Sequence, residues 1–412
     1  MKYGLIGEHL GHSYSCEIHG AIADYEYELK ELRPDELDGF MRQRSFNAIN
    51  VTIPYKQSVI PYLDEISDRA RSIGAVNTIV NTGGRLYGDN TDFAGMAALA
   101  KRIGIDFKGK KVLILGTGGT SRTAHAVAES HGAATVLHVS RRGGDGLISY
   151  EDAAKKHSDA QIIINTTPVG MYPDTEKKPI DISAFPVLEG VLDAIYHPLR
   201  TNLVLDAQER GIPASGGLYM LSAQAVYASA VFLGKEVEPA LIEKAYSIVK
   251  ADKQNIVLIG MPSCGKTTVG KIIADRTGKT FLDTDDAIVA EIGMPIAEFF
   301  AQKGESAFRE LESRVIAEAS KKGGLVIATG GGAVLRPENV RAMRQNGAVV
   351  FIDRALEKLI TTDDRPLSSS RTALEKLYET RYDIYKNAAD LHADGNGTPD
   401  EVAEAILKEL KL

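Results

Sequence analysis

Two stretches of the chain share one order of side chains: a short apolar run, a glycine-rich turn, then a segment of helix formers. Lys111-Val112-Leu113-Ile114-Leu115 precedes Gly116-Thr117-Gly118-Gly119, and Asn255-Ile256-Val257-Leu258-Ile259 precedes Gly260-Met261-Pro262-Ser263-Cys264-Gly265. A continuous apolar run of this length bounded by glycine fits a strand covered on both faces. Each therefore reads as the first strand of a nucleotide-binding α/β unit. Between them, further short buried strands are expected at 136–139, 161–165 and 190–193, and a helix at 218–234. After the second turn, strands are expected at 280–282, 325–328 and 348–352, separated by helices such as 305–320, with a helix beginning near Thr268. Alternating strands and helices predict parallel sheets covered by helices, in two separate sheets. The join is expected near 250–254, where Lys-Ala-Asp-Lys-Gln is polar, short and free of Gly or Pro, so a tight junction is predicted rather than a flexible tether.

The 412 residues exceed one ordinary core, since domains run to about 100–200 residues, and two or three cores are expected. With 25% charged residues and a net charge of -7 the chain has no global basic field, so neither nucleic acid nor an anionic membrane is an expected partner. Any anionic ligand must be met by local charge. Cys16 and Cys264 make no disulfide framework, and no Cys/His group has metal-ligand spacing, which fits a reducing compartment, the cytoplasm by default. No apolar run approaches the ~20 residues needed to span a bilayer and no leader pattern opens the chain, so it is expected to be neither exported nor embedded.

Gly116 to Ser121 follows a strand and opens a helix, the context in which backbone amides approach a pyrophosphate; small Ser121 stands where the third glycine of the usual fingerprint would be. After the second strand come Ser140-Arg141-Arg142, where a carboxylate would meet an unmodified ribose. Two arginines suit a 2′-phosphate, the alternative being a solvated basic turn. Upstream lie Asn50-Val51-Thr52-Ile53-Pro54-Tyr55-Lys56, Gly74-Ala75-Val76-Asn77-Thr78 and Gly88-Asp89-Asn90-Thr91-Asp92. A single lysine or aspartate in such a segment is far more often a surface charge.

Across 1–250 these segments, with His12-Ser13-Tyr14-Ser15, the turn with Arg122, Asn165-Thr166-Thr167-Pro168-Val169-Gly170-Met171 and 216–224, match in order the motifs of shikimate dehydrogenase, which the sequence closely resembles. The resemblance implies reduction of 3-dehydroshikimate with NADPH. It makes Lys56 and Asp92 the catalytic pair, a sensible one, because an ammonium held by a carboxylate can stabilise an alkoxide and supply its proton. It also implies that Ser13, Ser15, Thr52, Asn77, Asp92, Tyr196 and Gln224 bind the substrate. Asp68, Gly116, Thr117, Gly118, Gly119, Thr120, Ser140, Arg141 and Gly217 would bind the cofactor. Two positions depart from the family pattern: Cys16 replaces a proline and Ser215 an aspartate.

Gly260-x-x-x-x-Gly265-Lys266-Thr267 satisfies the P-loop pattern between a strand and a helix. Its amides would cradle phosphates, Lys266 would reach the terminal ones, and the Thr267 hydroxyl would ligate Mg²⁺. Leu282-Asp283-Thr284-Asp285, 308–312, Gly330-Gly331-Gly332, Asp364-Arg365-Pro366-Leu367 and Arg381-Tyr382-x-x-Tyr385 follow in order. Singly each has a bland reading as turn, loop or helix-surface charge. Together they resemble shikimate kinase across 254–412. The resemblance implies ATP as phosphoryl donor, Asp285 as the residue acting on the acceptor hydroxyl, Arg309, Arg381 and the Gly331 amide as holders of the acceptor, and Asp283 beside Mg²⁺. Ser263, Cys264, Gly265, Lys266, Thr267, Thr268 and Arg365 would hold nucleotide, with 361–372 as a lid.

The expected architecture is therefore α/β: a substrate domain at 1–92 completed by helices of 218–250, a Rossmann-type NADP domain at 93–217, and a P-loop kinase-like domain at 254–412. Its ligands would be small molecules, and its two reactions consecutive. Oligomeric state is not legible. Charge-assisted hydrogen bonds are worth ~1.5–3 kcal/mol, about ten- to a hundredfold per contact before screening. Arg141→Ala is accordingly expected to raise the KM for NADPH strongly and that for NADH hardly at all. Steady-state KM values for both cofactors check this; equal effects would make Arg141 an ordinary surface arginine.

Overall fold

A computed structural model describes residues 1–11, 13–360 and 370–412. The chain divides into two compact units, Met1–Lys250 and Ala251–Leu412. The helix Pro239–Lys253 ends just before the strand Asn255–Ile259, so regular structure occupies the expected join.

The first unit contains two sheets. The strands of the first lie in spatial order Tyr27–Glu31, Tyr3–Gly7, Ala48–Val51, Thr78–Thr82, Arg85–Asp89 and Glu65–Ile66. Tyr3–Gly7 is parallel to both neighbours, whereas Thr78–Thr82 is antiparallel to both of its own. This mixed sheet corrects the expectation of two sheets, both parallel. Its hairpin turns at Gly83-Gly84, both at positive φ, and Tyr27–Glu31 is an edge strand exposed over most of its length. Neither gives the continuous apolar signal of a strand buried on both faces. Ile6, Ile49, Val51, Ile79 and Leu86 pack with Phe40 and Met41 as this layer's core.

The second sheet is parallel throughout, in the order Ala214–Ser215, Gly190–Asp193, Ile162–Asn165, Lys111–Leu115, Thr135–Ser140 and Ile148–Ser149. The apolar run at its centre faces both ways: Val112 and Ile114 pack with Met96, Leu99 and Val127, while Leu113 and Leu115 pack with Phe185 and Leu203. The chain builds outward from Lys111–Leu115 to one side and then from Ile162–Asn165 to the other. That reversal leaves a crevice at the strands' carboxyl ends.

The second unit holds a five-stranded parallel sheet: Thr280–Asp283, Leu325–Ala328, Asn255–Ile259, Gly347–Asp353 and Leu391–Asp394. The helix expected at 305–320 is the second limb of Ile296–Lys321, which kinks at Gly304 (φ 81°, ψ 172°). The helix after the P-loop starts at Lys266, two residues before the expected position.

At the amino end of the central strand the buried Asn255 side chain donates from Nδ2 to Lys322 O (2.7 Å) and accepts at Oδ1 from Leu325 N (2.8 Å). Asn255→Leu would leave both backbone groups without that partner, at about 1–3 kcal/mol. Calorimetry of the full chain should show one transition lowered by several degrees, at about 2–4 °C per kcal/mol for a unit of this size. An unchanged midpoint would mean that the two groups find other partners.

Candidate active sites

In the first unit, Lys56 lies in the turn after Ala48–Val51, and Asp92 is the first residue of the helix Asp92–Arg102. Their Nζ and Oδ2 atoms are 2.6 Å apart, with side chains 15% and 10% exposed. The stem of Lys56 faces the glycine-rich turn: a Cβ at Gly119 would stand 3.8 Å from Lys56 Cδ. The helix carrying Asp92 packs on Leu218–Leu233, and at Gly95 the approach is so close that a Cβ would stand 2.6 Å from Met220 O.

That approach brings buried Gln224 to Asn77, whose Nδ2 donates to Gln224 Oε1 at 3.4 Å. Asn77 Oδ1 accepts from Thr91 N (2.7 Å), Thr91 Oγ1 (3.2 Å) and Thr78 Oγ1 (3.0 Å), so its amide has one orientation. Behind it, Asn50 Nδ2 donates to Asn77 O (3.1 Å) and Thr78 Oγ1 (3.2 Å). Ser13 and Ser15 meet at 3.0 Å between hydroxyls. Thr52 is half-buried and its amide donates to Ile6 O. Tyr196 follows Asp193, a buried carboxylate accepting from Ile195 N (3.0 Å), Asn165 Nδ2 (3.0 Å) and Thr201 Oγ1 (2.7 Å). Burial pushes the Asp193 carboxyl up to about 6 against these three donors.

The residues expected to hold a dinucleotide surround the opening of the helix Gly119–Ser130. Its N-cap Gly118 provides no side-chain cap, and a Cβ there would meet nothing within 4 Å, so the first amides remain open to a ligand. Ser121 Oγ donates to Gly118 O (2.7 Å), closing the turn from within, with Thr117 exposed and Thr120 half-buried beside it. Ser140 Oγ accepts from Gly143 N (3.0 Å), leaving the Arg141 and Arg142 side chains exposed. Gly217 N donates to Ile195 O (2.7 Å), and exposed Asp68 begins the helix Asp68–Ile73, which packs on Gly119–Ser130. This arrangement fits a dinucleotide: open amides for the pyrophosphate and guanidinium groups for a further phosphate.

In the second unit the P-loop joins Asn255–Ile259 to Lys266–Thr277, with Ser263 at φ 63° and Gly265 at φ 102°. Buried Lys266 Nζ donates to Gly260 O and Met261 O, both at 2.9 Å, and lies 3.8 Å from Cys264 Sγ. Thr268 is exposed. Thr267 Oγ1 donates to Asp283 Oδ2 (2.8 Å), while Asp283 Oδ1 accepts from Asp285 N (3.0 Å). A hydroxyl beside a carboxylate is an oxygen donor set suited to a hard cation such as Mg²⁺.

The residues expected to hold the acceptor converge on three glycines. A Cβ at Gly330 would stand 2.7 Å from Asp285 Oδ1 and 2.9 Å from Glu312 Oε1; at Gly331, 3.2 Å from Pro262; at Gly332, 2.1 Å from Arg309 Nη1. Arg309 is itself clamped, by Glu312 Oε2 at 2.7 Å and Glu305 Oε1 at 3.2 Å. Burial pushes the Glu312 carboxyl above its usual range against the pull of Arg309. Arg381 Nη1 (3.0 Å) and Tyr385 Oη (2.5 Å) both donate to Gly331 O. Arg365 and most of the expected lid, 361–369, lie outside the described residues, as does His12.

Asn50, Thr91 and Glu312 take structural parts that sequence reasoning gave to none of them. Glu312 had a local signal, standing three residues after Arg309 on one helix. Asn50 acts across paired strands and Thr91 across a hairpin, through contacts that no local pattern marks.

A dinucleotide crevice with a lysine–aspartate pair at its mouth defines the first unit as a nicotinamide-dependent oxidoreductase, and the P-loop with its glycine-centred acceptor pocket defines the second as a small-molecule kinase. Residues 5–79 match the family model for the shikimate dehydrogenase substrate binding domain, and residues 262–411 match that for shikimate kinase. The shikimate dehydrogenase (NADP(+)) of Clostridium perfringens (strain SM101) is 34% identical over 266 residues, covering 60% of this chain and 98% of that one. The structure of shikimate dehydrogenase 1 from Peptoclostridium difficile superposes with a TM-score of 0.56 at 33% identity, over 60% of this chain and 98% of the other. That of the Thermus thermophilus enzyme in complex with NADP(H) and shikimate gives 0.54 at 29%, over 60% and 98%. The chain belongs to the shikimate dehydrogenase family and carries a shikimate kinase domain after it.

Gly332→Ala would drive a methyl group onto the Arg309 guanidinium. Because Arg309 is tied to two carboxylates, the expected result is a loss of phosphotransfer of tenfold or more, with nucleotide binding kept. Titration of the variant with a fluorescent ATP analogue beside a rate measurement checks both halves of that statement.

Proposed function

We propose that this protein is a bifunctional shikimate-pathway enzyme that reduces 3-dehydroshikimate to shikimate with NADPH and then phosphorylates shikimate with ATP to shikimate 3-phosphate. The Lys56–Asp92 pair beside the glycine-rich turn supports the first activity most directly. The convergence of Asp285, Arg309 and Arg381 on Gly330–332 supports the second. On this reading 1–92, completed by 218–250, binds the substrate, 93–217 binds NADPH, and 254–412 is the kinase.

NADPH, when bound, supplies the hydride. The chain must then meet the negative charge that grows on the ketone oxygen, in a site shielded enough for a cation to act strongly. Lys56 carries that cation and can pass a proton to the oxygen, while Asp92 holds the ammonium in place. Asn77 and Gln224 offer amide groups to the substrate's hydroxyls, and Ser13, Ser15, Thr52 and Tyr196 offer hydroxyls.

ATP would supply the phosphoryl group, with its Mg²⁺ held by the Thr267 hydroxyl and reached by Asp283 through water. Lys266, which donates to the Gly260 and Met261 carbonyls, would reach the phosphates. Asp285 accepts the proton of the attacking hydroxyl, and the Arg309 and Arg381 guanidinium groups, with the Gly331 amide, fix the acceptor's carboxylate for in-line transfer. Arg365 stabilises charge on the transferring group.

A cytoplasmic setting accords with the free Cys16 and Cys264, and freedom from nucleic acid and anionic membrane surfaces with the net charge of -7. Among the described residues no helix is long and apolar enough to cross a membrane.

Purified protein given 3-dehydroshikimate, NADPH and ATP should consume NADPH and then form ADP. Lys56→Ala is expected to lower reduction by orders of magnitude with the NADPH KM little changed, and to leave phosphorylation of added shikimate intact. Asp285→Asn should do the reverse, with ATP still bound. Reduction within a few-fold of the parent in Lys56→Ala, or loss of ATP binding in Asp285→Asn, would remove those residues from the roles given.

A further inference from the structure

Tyr14 stands between the two serines assigned to the substrate, and its side chain is buried. It precedes the helix Ser15–Ile22, which belongs with the first sheet's layer. Its hydroxyl lies 2.8 Å from His197 Nδ1, and its ring centroid 5.2 Å from that of Tyr196. Tyr196 and His197 belong to the turn after Gly190–Asp193 in the other sheet. That turn is fixed from its own side. Asp193 accepts from Ile195 N and Thr201 Oγ1, the Tyr172 ring stands edge-on to His197 at 5.0 Å, and Tyr172 N donates to His197 O at 3.1 Å.

One side chain thus connects the serine pair on one layer to the tyrosine of the facing layer. We propose that the Tyr14–His197 hydrogen bond is a positioning latch that sets the spacing between Ser13/Ser15 and Tyr196, and so the grip of the pocket on its acid substrate, without touching that substrate. The inference rests on the dehydrogenase reading of the first unit. A pocket that recognises a small polyol acid through hydroxyls on two layers needs those layers in register, because a displaced donor loses its bond altogether. The cofactor's glycine-rich turn lies on the second layer and, of the residues expected to hold the cofactor, Asp68 lies on the first, so the latch bears chiefly on the acid substrate.

Tyr14→Phe keeps the ring and its packing on Tyr196 and deletes the hydroxyl. It is expected to raise the KM for 3-dehydroshikimate roughly three- to tenfold, the range of one buried neutral hydrogen bond, with kcat and the KM for NADPH within twofold. His197→Ala should do the same. Combined with Tyr14→Phe it should be no worse than the worse single change, since both remove one bond. His197→Asn, which keeps a polar atom near the position of Nδ1, should restore the substrate KM. A rise in both KM values together, additive singles, or an Asn variant no better than Ala would overturn the latch and leave the pair as packing. If Tyr14→Phe fails to fold, seen as lost NADPH binding, the Ala and Asn variants at 197 decide the matter. Should the parent chain not reduce 3-dehydroshikimate at all, the dehydrogenase reading falls and the latch with it.

Discussion

Close approach of main chain without an intervening Cβ is the constraint on which both sites depend. In the first unit, Gly95 lets the helix Asp92–Arg102 lie against Leu218–Leu233, and that contact puts Asp92 and Gln224 into the same small volume. In the second, bare Cα atoms at Gly330, Gly331 and Gly332 admit carboxylates, a proline ring and a guanidinium from three other segments. A side chain at any of these places would fill the space in which these groups meet. Glycine carries a conformational cost in the unfolded chain, and here the gain is geometry that no other residue permits.

The cations at both sites are held in place by oxygen acceptors. A shielded ammonium or guanidinium without a partner is costly, and pairing each one also fixes its direction. Lys56 is held by Asp92, and Arg309 by Glu312 and Glu305. Lys266 rests on two backbone carbonyls, partners it can leave for a phosphate more readily than it could leave a carboxylate. On the proposed function this would let a chain of net charge -7 receive anionic ligands, with positive charge concentrated at the two sites and absent as a general field. On the proposed function, the product of the first site is the acceptor of the second, which gives a chemical reason for the two activities to share one chain.

What the sequence determined by itself is local. The runs at 111–115 and 255–259 are apolar at nearly every position, and the strands Lys111–Leu115 and Asn255–Ile259 fall on those residues. The steric demands of a strand–turn–helix likewise act over a few neighbours, so the glycine-rich turns were legible too. The motif order carried the family, and the named residues Lys56, Asp92, Asp285, Arg309 and Arg381 came with it. Tertiary structure alone decided the rest. The first sheet is mixed, with a solvent-exposed edge strand, and lacks the periodic signal that marks a doubly covered sheet. Lys56 meets Asp92 across 36 residues, and Asn77 meets Gln224 across 147, through the packing of layers that no short-range pattern encodes. The support given by Asn50 and Thr91 requires the pairing of strands within the first sheet, and the tie between Tyr14 and His197 exists only once both layers are folded and packed together.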